Sequence, residues 1–341
     1  MHIVNIMFSR GGGGIEQAFV DYCEGLRNRG NQVTAVIFPG AVVEAQLKAL
    51  DVRIIAMRNF GEWDPIAGHR LRKQLQAIKP DIIIAHANRA YALAKRAVQG
   101  RIPLVAVAQN YSTNRFTGAD AVFTTTHDLI AHLVKQGVPE NRVHHVPNMV
   151  KCRALPQRGE RHDPPIIGAM GRFVPKKGFD VFIDALSILK ERNYEFKAIL
   201  GGNGDEADKL KQRSRDAGLN GILSFPGWIE DKKGFYSHID IFCLPSLHEP
   251  FGIVLLEAFT YGAPVVATDS EGPRDIITAN YDALIAKMGS ASDMAEAIGK
   301  LLDNAQMAAD LAANAFAKAK MRYSLEVVCE KIEQSCKDII G

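Results

Sequence analysis

Apolar and polar positions along the chain alternate between two periods, one suited to buried strands and the other to amphipathic helices. Short runs at Ile3–Phe8, Gln32–Phe38, Arg53–Ala56, Ile82–Ala85, Leu104–Ala108 and Ala121–Thr124 are too short and too evenly apolar for surface helices, so they predict strands buried on both faces. Between them, Glu16–Arg29 and Pro65–Ile78 carry the three-to-four spacing of helices with one apolar face. The scheme then repeats with Ile166–Met170, Glu195–Leu200, Ile222–Phe225, Ile239–Leu244 and Pro264–Thr268, each followed by a helical stretch such as Phe179–Lys190. Strands alternating with helices imply parallel sheets covered on both sides, so the expectation is an α/β protein of two doubly wound units. The pattern breaks near Val146-Pro147-Asn148-Met149-Val150 and in the polar stretch Arg153 to Pro165, which reads as a linker. Domains are therefore expected over 1–150 and 151–322, with a last helix, Tyr323–Ile340, crossing back to the first.

Composition narrows this picture only a little. The chain has 341 residues, 47% hydrophobic and 23% charged, a globular balance with room for two cores. No apolar run reaches the length of a membrane span, and the N-terminus reads as a strand rather than an export signal. The five cysteines form no CxxC pair and have no metal-ligand spacing, which suggests reduced packing residues and a cytoplasmic setting. Net charge is +3, unevenly spread: residues 1–150 hold 17 Lys and Arg against 11 Asp and Glu. That excess suggests an anionic partner, such as a phospholipid surface or phosphorylated acceptor, although a solvated surface explains it as simply. Without interleaved aromatics it does not suggest nucleic acid.

Chemistry is concentrated where strands hand over to helices. His248-Glu249-Pro250-Phe251-Gly252-Ile253-Val254-Leu255-Leu256-Glu257 follows a strand and enters an apolar helix, placing Glu249 in the loop and Glu257 two turns into the helix. Free N–H groups at such a helix start favour phosphate. The loop Gly171-Arg172-Phe173-Val174-Pro175-Lys176-Lys177-Gly178 also follows a strand, and Arg172 with Lys177 suits a diphosphate whose charge grows as a bond breaks. Gly11 to Gly14 follow the first strand and allow close backbone approach to a phosphate, but they do not make GxGxxG, and no acidic residue follows the second strand to hold a ribose. A nicotinamide dehydrogenase is thereby disfavoured.

Taken together these segments resemble the retaining GT-B glycosyltransferases of family 4 over nearly the whole chain. The resemblance rests on Glu249 and Glu257, on Arg172 and Lys177, and on Tyr261 to Ile277 (YGAPVVATDSEGPRDII). Weaker support comes from Gly13–Glu16, Leu200-Gly201-Gly202-Asn203-Gly204 and Val146-Pro147-Asn148. It implies a GT-B fold, two Rossmann-like domains facing across a cleft. It also implies that Arg172 and Lys177 clamp the donor diphosphate, that Glu257 takes the ribose hydroxyls, and that Glu249 and His86 lie beside the donor sugar. Phe251, Gly252, Ile253 and Val254 would present backbone N–H groups, Gly13 and Gly14 would approach the diphosphate, Trp228 and Ile229 would border the base, and Gly202 would belong to the donor site.

The implied reaction moves a sugar from a nucleoside-diphosphate sugar, UDP- or GDP-linked, to a carbohydrate or lipid-linked acceptor in cell-envelope glycan synthesis. It retains configuration and needs no metal or other cofactor. An anionic membrane surface is an expected partner through the basic helix Pro65–Ile78, whose Leu71, Leu75 and Ile78 share a face, and this extends the expected location to the inner side of the cytoplasmic membrane. The alternative is a non-catalytic nucleotide-sugar-binding relative or scaffold. Departures from the family pattern, Gln109-Asn110, His127 and Met149 together with the short loop Tyr111–Gly118, bear on the acceptor side. A glycosidase with paired carboxylates, an epimerase and a phosphorylase fit the residues less well.

Overall fold

The computed structural model describes residues 1–98, 100, 102–113, 116–155, 158–159 and 161–341. Parts of the expected linker Arg153–Pro165 and of the loop Tyr111–Gly118 fall outside these residues. The chain divides into two compact units, Met1–Met149 with Tyr323–Gly341, and Val150–Arg322.

The first unit is built on seven parallel strands: β1 (His2–Met7), β2 (Gln32–Ile37), β3 (Arg53–Ala56), β4 (Ile82–His86), β5 (Leu104–Ala108), β6 (Ala121–Thr124) and β7 (Val143–His145). Their order is β3-β2-β1-β4-β5-β6-β7. Because the chain winds outward from β1 in one direction and then returns to β4, the sheet has a switch point between these two neighbours. Ile3 pairs with Ile82 and Ile6 with Ala85 there. Alternate residues feed two cores. Ile3, Ile84 and Val105 point with the helix Gly14–Asn28 to one face, while Val4, Ile83 and Ala106 meet the helices Pro65–Ile78 and Ala87–Val98 on the other.

The last helix, Leu325–Ile340, belongs to the first core. Val328, Cys329, Ile332 and Cys336 are fully buried, and each large aliphatic among them contributes about 1.5–3 kcal/mol by leaving water. Its partner helix has Gly25 at the crossing, where a Cβ would fall on the Cys329 sulfur. Ser324 caps the helix through the Val327 amide, and Glu333 meets Arg29. Cys329 and Cys336 do share a packed face, as their spacing predicts.

The second unit repeats the winding with β8 (Ile166–Met170), β9 (Lys197–Gly201), β10 (Leu223–Ser224), β11 (Ile241–Leu244), β12 (Val265–Thr268) and β13 (Leu284–Ala286), in the order β10-β9-β8-β11-β12-β13. All pairs are parallel, and the switch point lies between β8 and β11, where Ile241 pairs with Ile167. Its core packs Phe182, Ile183 and Leu186 of the helix Phe179–Glu191 against Ile298 and Leu301 of Ala291–Asp303.

Two edge strands, β7 and β13, have no counterpart in the hydropathy pattern. Each is three residues long: Val143-His144-His145 is only half-buried and mostly polar, and Leu284-Ile285-Ala286, though apolar, is too short to stand out as an interior strand. The expected strand Ile222–Phe225 shrinks to Leu223–Ser224 at the opposite edge.

Candidate functional site

In the second unit the two loops singled out by sequence leave neighbouring strands on either side of the switch point and are tied together. The amides of Leu247 and His248 both donate to the Lys176 carbonyl, at 2.9 and 3.1 Å. Between β8 and the helix Phe179–Glu191, Gly178 turns the chain in the left-handed region (φ 62°), and a Cβ there would strike the Pro245 carbonyl oxygen. Glycine is thus required by both conformation and closeness.

This junction brings Lys177 to Glu249. Their side chains form an ion pair and are mostly buried, and the Ser246 hydroxyl donates to the same Glu249 oxygen at 3.4 Å. Arg172, one residue beyond the Gly171 turn, is exposed, and its guanidinium has no hydrogen bond or ion pair among the described residues. One cation is therefore already neutralised by the protein, while its neighbour is free to meet an external anion.

Sequence reasoning gave no role to Glu271, yet Glu271 fixes the Glu249 loop. Its carboxylate accepts the Glu249 amide at 3.1 Å and the His248 Nδ1–H at 2.7 Å, while the Gly272 amide donates back to the Glu249 carbonyl at 2.8 Å. Burial acts to raise the Glu271 carboxyl. Hydrogen bonds from its own backbone, His248 and Glu249 outweigh that and leave it below the usual range. At Gly272 a Cβ would collide with the Phe251 backbone. The signal was within reach, because both residues lie in the Tyr261 to Ile277 segment that carries the family resemblance.

The helix Ile253–Thr260 begins at Gly252, in the left-handed region at φ 95°. Glu257 is its fifth residue, little more than one turn in, where the sequence reading put it two turns in. Its carboxylate accepts from Lys232 Nζ at 2.5 Å and from the Tyr236 hydroxyl at 3.4 Å. Tyr236 also donates to the Val254 carbonyl at 2.8 Å, anchoring the first turn. Lys232 and Tyr236 were not singled out by sequence, since a half-exposed lysine and a buried tyrosine on the short helix Lys232–His238 carry no pattern. Phe251 is buried, and Ile253 and Val254 are half-buried.

At the end of β9, Gly202 is in the left-handed region (φ 145°) against the Gly171 carbonyl, and its amide donates to Gly227 at 2.7 Å. Ile229 packs over Gly201, and Trp228 beside it is exposed. Gly202, Trp228 and Ile229 thus form one neighbourhood at the carboxyl end of β9.

The first unit's switch point differs in character. His86 ends β4 with its ring edge-on to Phe19 and Tyr22, at 5.3 and 5.0 Å between centroids. It is 1% exposed, and burial pulls its pKa down to about 3, so the ring is neutral. Gln109 lies beside it without completing a hydrogen bond to either nitrogen, and instead donates to Asn148 at 2.9 Å. The glycine run Gly11–Gly14 needs no left-handed backbone, and nothing in the protein occupies the Cβ position at Gly11. Gly13 caps the helix Gly14–Asn28 in extended conformation, and Ser9 donates to Glu16 in its first turn. A cavity of about 710 Å³ opens at the carboxyl ends of β1 and β4, lined by Ser9, Arg10, Asn59, Phe60, His86 and Arg89 among others.

The apolar face of the basic helix Pro65–Ile78 packs on its own sheet through Leu71 and Leu75, with Ile78 partly buried. Among the described residues no helix is long and apolar enough to cross a membrane.

A family model described as Glycosyl transferases group 1 matches residues 153–318, and one described as Glycosyltransferase Family 4 matches residues 12–153. The chain is 27% identical to the lipopolysaccharide core biosynthesis glycosyltransferase LpsE of Rhizobium meliloti (strain 1021), over 97% of each chain. It is also 27% identical to the phosphatidyl-myo-inositol mannosyltransferase of Mycobacterium leprae, over 94% of this chain and 91% of that one. Among solved structures, a glycosyltransferase from Rickettsia africae superimposes with a TM-score of 0.88 at 17% identity, covering 100% of this chain and 98% of the other. Anabaena HepE in complex with UDP-glucose gives 0.85 at 21%, covering 99% and 100%. The chain belongs to family 4 of the glycosyltransferases and has their GT-B fold.

Proposed function

We propose that the protein transfers a sugar from a nucleoside-diphosphate sugar, UDP- or GDP-linked, to a carbohydrate or lipid-linked acceptor in cell-envelope glycan synthesis. The observation that carries this reading is the junction at the second switch point, where Lys177 is paired with Glu249 and the same loop carries Arg172 with its guanidinium unpaired among the described residues. Relatives named for lipopolysaccharide core synthesis and a UDP-glucose-bound structural neighbour agree with it.

In this account the acceptor hydroxyl oxygen bonds to the anomeric carbon as the bond from that carbon to the diphosphate oxygen breaks. The hydroxyl proton passes to the departing diphosphate oxygen. Attack and departure on one face retain configuration. Arg172 meets the negative charge that grows on the leaving group, and Lys177 joins it as the donor competes for the ammonium now held by Glu249. Glu249, with its loop fixed by Glu271, orients the sugar. Glu257 takes the ribose hydroxyls, and the amides of Phe251, Gly252, Ile253 and Val254 offer donors at the helix start. Trp228, Ile229 and the Gly202 turn border the base. Two protein cations supply what magnesium supplies elsewhere, so no metal is required. Peripheral contact with an anionic membrane completes the proposal. Because the apolar face of Pro65–Ile78 is buried, that contact is electrostatic and weakens with salt.

The test is calorimetry with UDP-, GDP- and ADP-sugars, with and without magnesium, followed by the anomeric configuration of the transferred sugar by proton NMR. Metal-independent binding of one donor and a retained product support the proposal. An inverted product, or transfer abolished by chelator, sinks the mechanism, and tight binding without transfer or donor hydrolysis points to a non-catalytic relative.

A further inference from the structure

The cavity of the first unit holds polar groups that the fold itself leaves without partners. Asn59 is 6% exposed, and neither its amide nitrogen nor its amide oxygen has a hydrogen-bond partner. The His86 nitrogens beside it are unbonded as well. A buried amide left unpaired costs about 1–3 kcal/mol, so Asn59, with both ends of its amide unpaired at the cavity wall, signals a ligand with hydroxyls to satisfy it.

A second observation concerns Phe60, at the rim of the same cavity. Its ring is 100% exposed, yet its backbone is fixed, because its amide donates at 2.9 Å to Asp64. Asp64 in turn caps the helix Pro65–Ile78 through the amides of Ile66 and Ala67. An aromatic ring held in water by an ordered backbone is a platform for an apolar surface, and the C–H face of a sugar ring is one that also carries hydroxyls.

The third is charge. Arg10 and Arg89 line the cavity, and neither makes a hydrogen bond or ion pair among the described residues; Arg10 only stacks on Phe38, at 3.9 Å. The carboxylate present, Glu16, already accepts from Ser9. With His86 neutral, the cavity keeps a positive excess awaiting an anion. A guanidinium meets a phosphate or carboxylate with two parallel hydrogen bonds.

We propose that this cavity is an acceptor subsite for a sugar bearing an anionic substituent, a phosphate or a carboxylate, with its ring on Phe60, its hydroxyls on Asn59 and its charge on Arg10 and Arg89. The proposal rests on the transferase reading above and names the acceptor class for it.

The experiment titrates the full chain, by calorimetry and ligand-observed NMR, with glucose 6-phosphate, glucuronate, glucose and inorganic phosphate. Expected are at least tenfold tighter binding of a charged sugar than of glucose, and loss of that preference in the Arg10→Gln/Arg89→Gln double variant. Asn59→Ala and Phe60→Ala should weaken the sugars and leave inorganic phosphate unchanged. Neither residue supports the fold through a side-chain hydrogen bond, and Asn59→Ala removes an unpaired buried amide, so neither variant should melt below the parent. Equal binding of glucose and glucose 6-phosphate, a preference that survives the double variant, or inorganic phosphate binding as tightly as the charged sugars would each overturn the proposal. So would silence toward all four probes in protein that still binds its nucleotide sugar. Charged-sugar binding in protein that binds no nucleotide sugar would instead leave the subsite standing and refute the transferase reading.

Discussion

The two units wind in the same way and place a switch point between their central strands, but they treat polar groups at that point in opposite ways. In the second unit the carboxylates have partners before any ligand arrives, Glu249 with Lys177, Glu257 with Lys232 and Glu271 with His248, and Arg172 is the cation left over. In the first, Asn59, His86, Arg10 and Arg89 are left without such partners. Paired charges fix loop geometry in the empty protein, so in the proposed reaction binding a diphosphate would be an exchange of partners rather than an ordering of loose side chains. Unpaired groups save no such ordering cost and instead draw specificity from the penalty of staying unsatisfied. The same topology thus supports one site suited to a common part of many substrates and another suited to a particular one.

The contrast breaks most sharply if cations at both switch points prove interchangeable. Arg172→Ala should lower turnover roughly 100- to 1,000-fold while donor affinity changes much less, because the charge it meets peaks as the glycosidic bond breaks. Arg89→Gln should leave acceptor-independent donor hydrolysis unaltered. Steady-state and single-turnover kinetics with the donor separate the two, and a rise in KM with turnover unchanged in the Arg172 variant would remove its leaving-group role.

Next in size is the glycine that lets the two loops meet. Gly178→Ala puts a methyl against the Pro245 carbonyl in a left-handed conformation, so loss of about 1–3 kcal/mol is expected together with weakened donor binding, since Lys177 is the preceding residue. Urea denaturation checks this. An unchanged midpoint would mean that the loops yield easily and that pairing at this switch point is not rigid.

The sequence made the second site far more legible than the first. Glu249, Arg172 and Lys177 sit in the loops that directly follow apolar strands, and Glu257 in the apolar helix that one of them enters, so position and chemistry coincide. Asn59 and Phe60 follow β3, a short strand with exposed ends, and nothing in the hydropathy of Arg58-Asn59-Phe60-Gly61 marks an unpaired amide or an exposed ring. Glu271 lies in the segment that carries the family resemblance, but its role is not legible there, because holding a backbone amide depends on tertiary contact and leaves no spacing behind. The edge strands β7 and β13 escaped for a related reason: three-residue segments are recruited by their neighbours rather than by their own pattern.

His86 offers a pH test of the first unit. Its native pKa of about 3 lies below the ordinary 6.5, so between these values the unfolded chain binds the extra proton and the native one does not. The stability His86 allows is fully present above about pH 6.5 and falls with pH toward 3, by up to about 1.4 kcal/mol per unit. His86→Phe should flatten this part of the stability profile relative to the parent, as read by urea midpoints at several pH values. An identical slope in both proteins would mean that the ring is solvated and that the cavity is less dry than its neighbours Phe19 and Tyr22 suggest.

The smallest effect probes whether pairing in the second unit is for stability or for readiness. The Lys232 and Glu257 side chains are 45% and 13% exposed, and an ion pair open to water on one side contributes no more than about 1 kcal/mol to folding. Lys232→Ala should therefore leave the urea midpoint almost unchanged. Its effect on the donor has a sign that discriminates. If Lys232 merely competes with the ribose hydroxyls for the Glu257 carboxylate, its removal tightens the nucleoside diphosphate by a few tenths of a kcal/mol; if it aims the carboxylate, removal weakens binding by a similar amount. Glu257→Ala, which removes the acceptor altogether, should cost about 1–3 kcal/mol in the same calorimetric titration. Tighter binding in Lys232→Ala beside weaker binding in Glu257→Ala would show that this pair is a placeholder for the ligand. Weaker binding in both would make Lys232 part of the grip, and the difference between the two switch points would then lie in how each ligand is oriented rather than in how it displaces what the protein has put in its place.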